Sequence, residues 1–184
     1  MKTTICNKIS MLVLLSLLCL MSMSCRDSDD TQKQTSSDNV LPDSLFLSEA
    51  PMEIQGISSL KDKAKEGDNV VIKAVVGGRK KVFVSNRAVI TVIDASVENP
   101  CTKEDDHCTE PWDYCCSPSE QLLSNMASVH ILDADNRPLV IDLNTVENFK
   151  PLTTLVIRGT VGPRTDKTSL VINATGIFVV PKEK

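Results

Sequence analysis

The residue types best suited to chemistry are concentrated in one stretch, from Cys101 to Cys116, which reads CTKEDDHCTEPWDYCC. It holds four of the seven cysteines, the only tryptophan and the only tyrosine of the chain. Thiols and imidazole can form disulfides, bind a metal ion or take part in redox reactions. This stretch is therefore the candidate site, and each of the three chemistries makes a different prediction.

Disulfide bonding is the leading interpretation of the stretch. Beyond the N-terminal segment, the predicted domain contains Cys101, Cys108, Cys115 and Cys116. An even number of cysteines in an exported domain is typical of disulfides, and four cysteines allow three pairings. A bond between the adjacent Cys115 and Cys116 would close a strained ring, so the other two pairings are preferred. Each cross-link is expected to stabilise the loop by about 2–4 kcal/mol, because it restricts the unfolded chain.

A metal site is the alternative interpretation of the same residues. Thiolate and imidazole groups are ligands of Zn²⁺ and Cu⁺. The spacing differs from that of structural zinc sites, which commonly use two C-x2-4-C motifs, because one pair of cysteines here is adjacent and the other gaps are six residues long. The candidate ligands are Cys101, His107, Cys108, Cys115 and Cys116.

A redox role for Cys115 and Cys116 is less favoured. No C-x-x-C motif is present, and no basic residue flanks the pair to lower a thiol pKa. The sequence also lacks a G-x-S-x-G motif, a phosphate-binding loop and an H-E-x-x-H motif. We therefore expect no catalytic residues and no enzymatic activity.

The N-terminal residues predict export and a lipid anchor. Two lysines precede an apolar run from Ile9 to about Met23, which is the pattern of a signal peptide over residues 1–24. The following residues, Ser22-Met23-Ser24-Cys25, resemble the lipobox of bacterial lipoproteins. The resemblance implies that Cys25 is acylated and anchors the protein to a membrane, facing the periplasm or the exterior. Arg26 follows where an inner-membrane retention signal would have Asp, which favours the outer membrane. Cys19 is a poorer candidate, because the bulky Leu18 precedes it.

The segment between the lipid and the domain, residues 25–50, is predicted to be a disordered tether, because its composition is mostly polar and without periodicity. Its apolar patch Leu45-Phe46-Leu47 is expected to pack on the domain. Without Lys2 and Lys8 the mature chain has 18 basic residues against 24 acidic ones, a net charge of −6. A net negative charge disfavours binding to nucleic acid.

Residues 51–184 predict a single all-β domain with one or two short helices. Short runs of β-branched residues alternate with turn signals, and the expected strands are Asn69–Val76, Ala88–Ile93, Ala127–Leu132, Leu139–Leu143, Thr154–Val161 and Ser169–Ala174 with Ile177–Val180. The pair Gly77-Gly78 predicts a bulge or sharp bend after the first strand, and Gly159 inside its strand predicts another bend. Helices are expected at Leu60–Glu66 and Ser119–Asn125.

The order of these elements resembles the OB-fold. The first strand carries the pattern G-D-x-V-x-I-x-A-x-V from Gly67, a later strand has Gly159 in its interior, and the last begins L-V-I-x-A at Leu170. The resemblance covers about residues 67–180 and implies a small barrel of five or six strands. The cysteines lie in an insertion at about residues 96–126, in a connection that is normally short.

The segment Pro111 to Cys116, PWDYCC, resembles a group of exported proteins from bacteria of the Planctomycetes type, a resemblance that implies no activity. Trp112 and Tyr114 are expected to be packing or contact residues, and the basic loop Arg79-Lys80-Lys81 is a further candidate contact surface. The leading prediction is a membrane-anchored, extracytoplasmic, non-enzymatic binding module without a cofactor, whose partner is another envelope protein or a small ligand. The alternative is a protein that binds Zn or Cu or undergoes thiol redox chemistry.

Overall fold

The computed structural model describes residues 41–103 and 107–182, so the predicted signal peptide and Cys25 lie outside the described residues. Five strands form a closed barrel in the order β1-β2-β3-β5-β4. The strands are β1 (Asn69–Val76), β2 (Val89–Asp94), β3 (Met126–His130), β4 (Thr154–Val161) and β5 (Val171–Val179). The arrangement confirms the prediction of a small, all-β, OB-like barrel.

The barrel forms because alternate residues of each strand are apolar and point inwards. In β1, the buried positions are Val70, Ile72, Ala74 and Val76, with exposed or half-buried residues between them. β1 pairs antiparallel with both β2 and β4. β3 pairs parallel with β5 and thereby closes the sheet into a barrel. These five strands therefore leave no open edge.

A bend is predicted at Gly159, and the structure shows an irregularity in strand pairing there. The register between β4 and β5 shifts between Arg158 and Gly159. A Cβ at Gly159 would lie 2.3 Å from the carbonyl oxygen of Asn173, so only glycine allows the two strands to approach this closely. The predicted segments before and after Gly176 form one continuous strand, β5.

The strand predicted at Leu139–Leu143 is not formed, which accounts for five strands rather than six. A single bridge joins Leu132 to Pro138, and short 3-10 turns follow at Leu143–Thr145 and Glu147–Phe149. Pro138 has no N–H to donate to a ladder. Ile141 and Leu143 are nevertheless buried, so their apolar pattern reflects burial in the core and not strand pairing.

Two short α-helices cover the barrel, α1 (Ile57–Lys63) and α2 (Ser119–Asn125). The bounds of α2 are those predicted, whereas α1 begins earlier than the expected Leu60. The reason is a long-range contact, since the N–H of Ile57 donates to Oδ2 of the buried Asp94 at 2.8 Å. Arg164 donates to carbonyl oxygens at the other end of α1, including that of Ala64 at 2.9 Å.

The apolar patch before α1 packs on the barrel as expected. Leu41 and Leu45 are buried, the rings of Phe46 and Phe149 lie 6.1 Å apart, and the N–H of Leu47 donates to the carbonyl of Ile177. The packed part of the chain therefore includes residues that the sequence assigned to the tether. No helix within the described ranges is long and apolar enough to cross a membrane.

The loop between β4 and β5 gives a test of the fold by pH. Hydrogen bonds from Thr168 and Ser169 lower the pKa of Asp166 to about 2, below the value of about 3.9 in an unfolded chain. Asp166 therefore stabilises the fold fully above the unfolded pKa, and this contribution is lost as the pH falls through the folded value. We expect Asp166→Ala to be less stable than wild type in urea at neutral pH, with the difference shrinking as the pH approaches about 2.

The exposed Asp62 on α1 provides the matched control. Asp62→Ala should lower the midpoint of urea unfolding less than Asp166→Ala at neutral pH. A difference between wild type and Asp166→Ala that stays constant down to pH of about 2 would contradict the assignment.

Candidate metal centre

The insertion between β2 and β3 is held at its base by one asparagine. Asn99 Oδ1 accepts the N–H of Cys101 at 3.0 Å, and its Nδ2 donates to the carbonyl of Pro111 at 2.8 Å. A 3-10 turn begins directly after Asn99 with Pro100, and a second begins with Pro111. One side chain thus joins the turn that contains Cys101 to the turn that precedes Cys115 and Cys116.

Tyr114 anchors the insertion to the barrel. Its side chain is buried and packs with Ile93 and Val97 in a small apolar cluster, and this burial raises the pKa of its hydroxyl. Its backbone is left-handed, with φ of 55°, and the chain turns here so that Cys115 and Cys116 lie at the surface. Tyr114 is therefore a packing residue and not part of a contact surface, which corrects one of the two expectations for it.

Trp112 docks the insertion on the β1–β2 connection. Its carbonyl accepts the N–H of Gly78 at 2.8 Å, and its indole Nε1 donates to the carbonyl of Lys80 at 3.1 Å. A Cβ at Gly77 would lie 2.9 Å from the same Trp112 carbonyl, so the close approach requires glycine. Lys80 also pairs with Glu110 at 2.8 Å, and this hydrogen bond raises the pKa of the Lys80 ammonium.

The basic loop Arg79-Lys80-Lys81 is exposed, as expected for a contact surface or a solvated turn. Lys80, its middle residue, contacts the insertion twice. Its backbone carbonyl accepts the indole N–H of Trp112, and its ammonium pairs with the carboxylate of Glu110. The loop is therefore part of the docking interface of the insertion.

The docking brings the four cysteines together. Cys115 Sγ lies 3.7 Å from Cys101 Sγ, 3.8 Å from Cys108 Sγ and 3.8 Å from Cys116 Sγ. The sulfurs of Cys101, Cys108 and Cys115 all lie within 4.8 Å of one another, close enough to hold one metal ion. Of the predicted ligands, His107 and Cys116 are exposed and do not belong to this group.

These separations are too long for disulfide bonds, in which the sulfurs are about 2.05 Å apart. The predicted cross-links are therefore not formed in this structure, although the cysteines predicted to form them are neighbours. Four thiolates around a zinc ion at about 2.3 Å lie about 3.8 Å from one another along the edges of the tetrahedron. The sulfur separations at Cys115 match that edge.

Hydrogen bonding among the thiols gives Cys101 and Cys115 different pKa values. Burial raises the pKa of the Cys101 thiol, but hydrogen bonds from the backbone and side chain of Cys116 and from the thiols of Cys115 and Cys108 outweigh it, so that this pKa is lowered. Hydrogen bonds with the thiols of Cys101, Cys108 and Cys116 raise the pKa of Cys115 to about 12. The buried Cys101 is thus the first of the two to become a thiolate, and Cys115 holds its proton against it. A metal cation would replace such shared protons.

Sequence reasoning missed Asn99 and the role of the glycine pair. An asparagine directly before a proline favours the start of a helical turn, so the pair Asn99-Pro100 could have predicted the turn that begins at Pro100. The pair Gly77-Gly78 predicted a sharp bend, but not the surface on which Trp112 docks.

Comparison of the chain with protein-family models, curated proteins and solved structures found no match.

The glycine at position 77 gives a test of the docking. Gly77→Ala would place a methyl group against the carbonyl of Trp112 and the ring of Tyr114, and such overpacking costs about 1–3 kcal/mol. We expect a lower midpoint of unfolding and a red shift of the fluorescence of Trp112, the only tryptophan of the chain.

Gly56→Ala is the matched control, because a Cβ there meets only an ordinary contact at 3.7 Å, with Asp94. It should leave the fluorescence of Trp112 unchanged. Wild-type fluorescence and stability in Gly77→Ala would show that the insertion does not depend on this contact.

Proposed function

We propose that this protein is a membrane-anchored, extracytoplasmic, non-enzymatic module that binds a soft metal ion, Zn²⁺ or Cu⁺, in the cysteine cluster of its insertion. The observation that carries the proposal is the spacing of the sulfurs, 3.7 Å and 3.8 Å from Cys115 to Cys101 and Cys108. This spacing suits ligands around a common ion better than covalently bonded pairs.

The donor set defines the class of ion. All three members of the group are thiols, and thiolates select Zn²⁺, Cu⁺ or iron–sulfur clusters over Mg²⁺ and Ca²⁺, which prefer oxygen ligands. Cys101 is buried, whereas Cys115 and Cys116 are exposed. An ion could therefore enter from solvent at the exposed sulfurs and be held against the buried one.

The scaffold around the cluster supports binding without a large rearrangement. Asn99, Trp112 and Tyr114 hold the insertion by contacts that do not involve sulfur. The cysteines are thereby positioned before an ion arrives, which reduces the entropy that binding must overcome.

A disulfide-stapled loop is the second candidate function for the same cysteines. The even number of cysteines in an exported domain favours it, and the separation of 3.7 Å between Cys101 and Cys115 identifies a pair that small side-chain rotations would bring to bonding distance. In that case the insertion would be a rigid display surface for an envelope protein or a small ligand.

Metal content and thiol state distinguish the two candidates. We expect the protein purified from the exported fraction to contain stoichiometric Zn or Cu, and to show four alkylatable thiols once a chelator has removed the ion. A mass about 4 Da below the fully reduced value, one hydrogen lost from each sulfur of two disulfides, together with no bound metal, would contradict the metal site and support the staple.

The membrane anchor is proposed from the lipobox-like sequence that ends in Cys25. Acyl chains contribute about 0.8 kcal/mol for each buried CH₂, so that several chains hold a small domain firmly on a bilayer. We expect Cys25→Ser to move the protein from the membrane fraction to the soluble fraction of the cell envelope. Cys19→Ser is the matched control and should leave the protein in the membrane fraction. If Cys25→Ser fractionates like wild type, Cys25 is not the anchor.

A further inference from the structure

We infer that Cys116 is the fourth ligand of the metal centre, so that the insertion forms a closed four-thiolate site for Zn²⁺ with a structural role. This inference rests on the proposed metal-binding function and specifies its ligands and its ion. Structural zinc sites take four protein ligands in a tetrahedron, whereas catalytic sites keep one position for water or substrate. The identity of the fourth ligand therefore decides the role of the ion.

Cys116 supplies the thiol next to this group. It is not one of the three sulfurs that all lie within 4.8 Å of one another, so we expect its side chain to rotate towards the ion on binding. Its Sγ lies 3.8 Å from that of Cys115, and both its thiol and its backbone N–H form hydrogen bonds with the sulfur of Cys101. Cys115 is thus surrounded by three sulfurs at separations close to the tetrahedral edge of about 3.8 Å. The N–H of Cys116 would remain as a hydrogen bond to a ligand sulfur, which is how neighbouring groups orient and tune metal ligands.

The local backbone explains how two adjacent cysteines can share one ion. In an extended strand, neighbouring side chains point to opposite sides. Here the N–H of Ser117 donates to the carbonyl of Tyr114 at 2.9 Å, which makes Cys115 and Cys116 the two central residues of a β-turn. The chain direction reverses at the turn, and the two thiols lie on the same side, close enough for their hydrogen bond.

The other nearby donors are less suited to the fourth position. His107 is exposed, and no hydrogen bond joins it to a cysteine of the cluster in the described part of the chain, whereas Cys116 Sγ lies 3.8 Å from Cys115 Sγ. The carboxylate of Glu110 is engaged with the ammonium of Lys80 at 2.8 Å. Recruiting Glu110 would break the ion pair that helps to dock the insertion on the β1–β2 connection.

Four thiolates favour Zn²⁺ over Cu⁺, because Zn²⁺ is almost always four-coordinate in structural sites. Binding exchanges the four thiol protons for one Zn²⁺ and leaves the centre with a net charge of −2. With every coordination position taken by sulfur, no position remains for substrate or water. The ion would then cross-link the 3-10 turn at Cys101, the segment at Cys108 and the β-turn of Cys115 and Cys116, as disulfides would in the alternative.

Cobalt substitution tests the assignment, because the sulfur-to-cobalt charge-transfer absorption grows with the number of thiolate ligands. The protein reduced under anaerobic conditions would be titrated with Co²⁺ as wild type, Cys116→Ser and His107→Ala. We expect Cys116→Ser to lose about a quarter of the charge-transfer absorbance, one of four Co–S bonds, and to bind Zn²⁺ at least about 10-fold more weakly. His107→Ala should match wild type in both measurements.

The outcomes separate this inference from the proposed function. A wild type that binds neither Co²⁺ nor Zn²⁺ would overturn both. A wild-type spectrum in Cys116→Ser, or a reduced one in His107→Ala, would overturn the assignment of Cys116 while the metal-binding function stands. Complete loss of Co²⁺ binding in Cys116→Ser supports the assignment when the fluorescence of Trp112 shows that the insertion is still docked.

Discussion

The close contact between the insertion and the glycine pair of the β1–β2 connection is the constraint on which the candidate site depends. Gly77 leaves room for the carbonyl of Trp112, and Gly78 donates a hydrogen bond to it. Tyr114 then reaches the apolar cluster of Ile93 and Val97. A loop of this length has no core of its own, so the barrel supplies the surface against which it becomes ordered. The positions of the sulfurs follow from that docking.

Disulfide formation and metal binding would compete for the same four thiols. In an oxidising compartment, neighbouring cysteines form disulfides, whereas a bound soft metal ion occupies the thiolates that would otherwise react. For the proposed exported protein, the state reached depends on whether metal binding or oxidation comes first. The sulfur separations of 3.7–3.8 Å are close to those around a common ion, and side-chain rotation would bring one pair to the bonding distance of a disulfide. The same spacing is therefore compatible with either state.

The barrel was largely predictable, because the alternation of apolar residues is a local property that burial in any barrel would satisfy. The strands β1 and β4 and the helix α2 match their predicted bounds. The prediction of strands failed where a run of apolar residues is buried without pairing to a neighbouring strand. Residues 139–143 have the composition of a strand, yet Pro138 cannot donate to a ladder and Leu143 begins a 3-10 turn. The early start of α1 likewise depends on Asp94, which is remote from Ile57 in sequence and adjacent to it in space.

The sequence by itself determined the fold class, the place of the insertion and the list of residues able to bind a metal or form cross-links. It could not determine which chemistry those residues favour, because six-residue gaps and an adjacent pair of cysteines match no familiar zinc pattern. The tertiary structure decided only which of those residues lie close together. The side chain of Asn99, the left-handed backbone at Tyr114 and the docking of Trp112 on the glycine pair bring the sulfurs of Cys101, Cys108 and Cys115 within 4.8 Å of one another. Such an arrangement depends on contacts between residues distant in sequence, and spacing along the chain does not encode it.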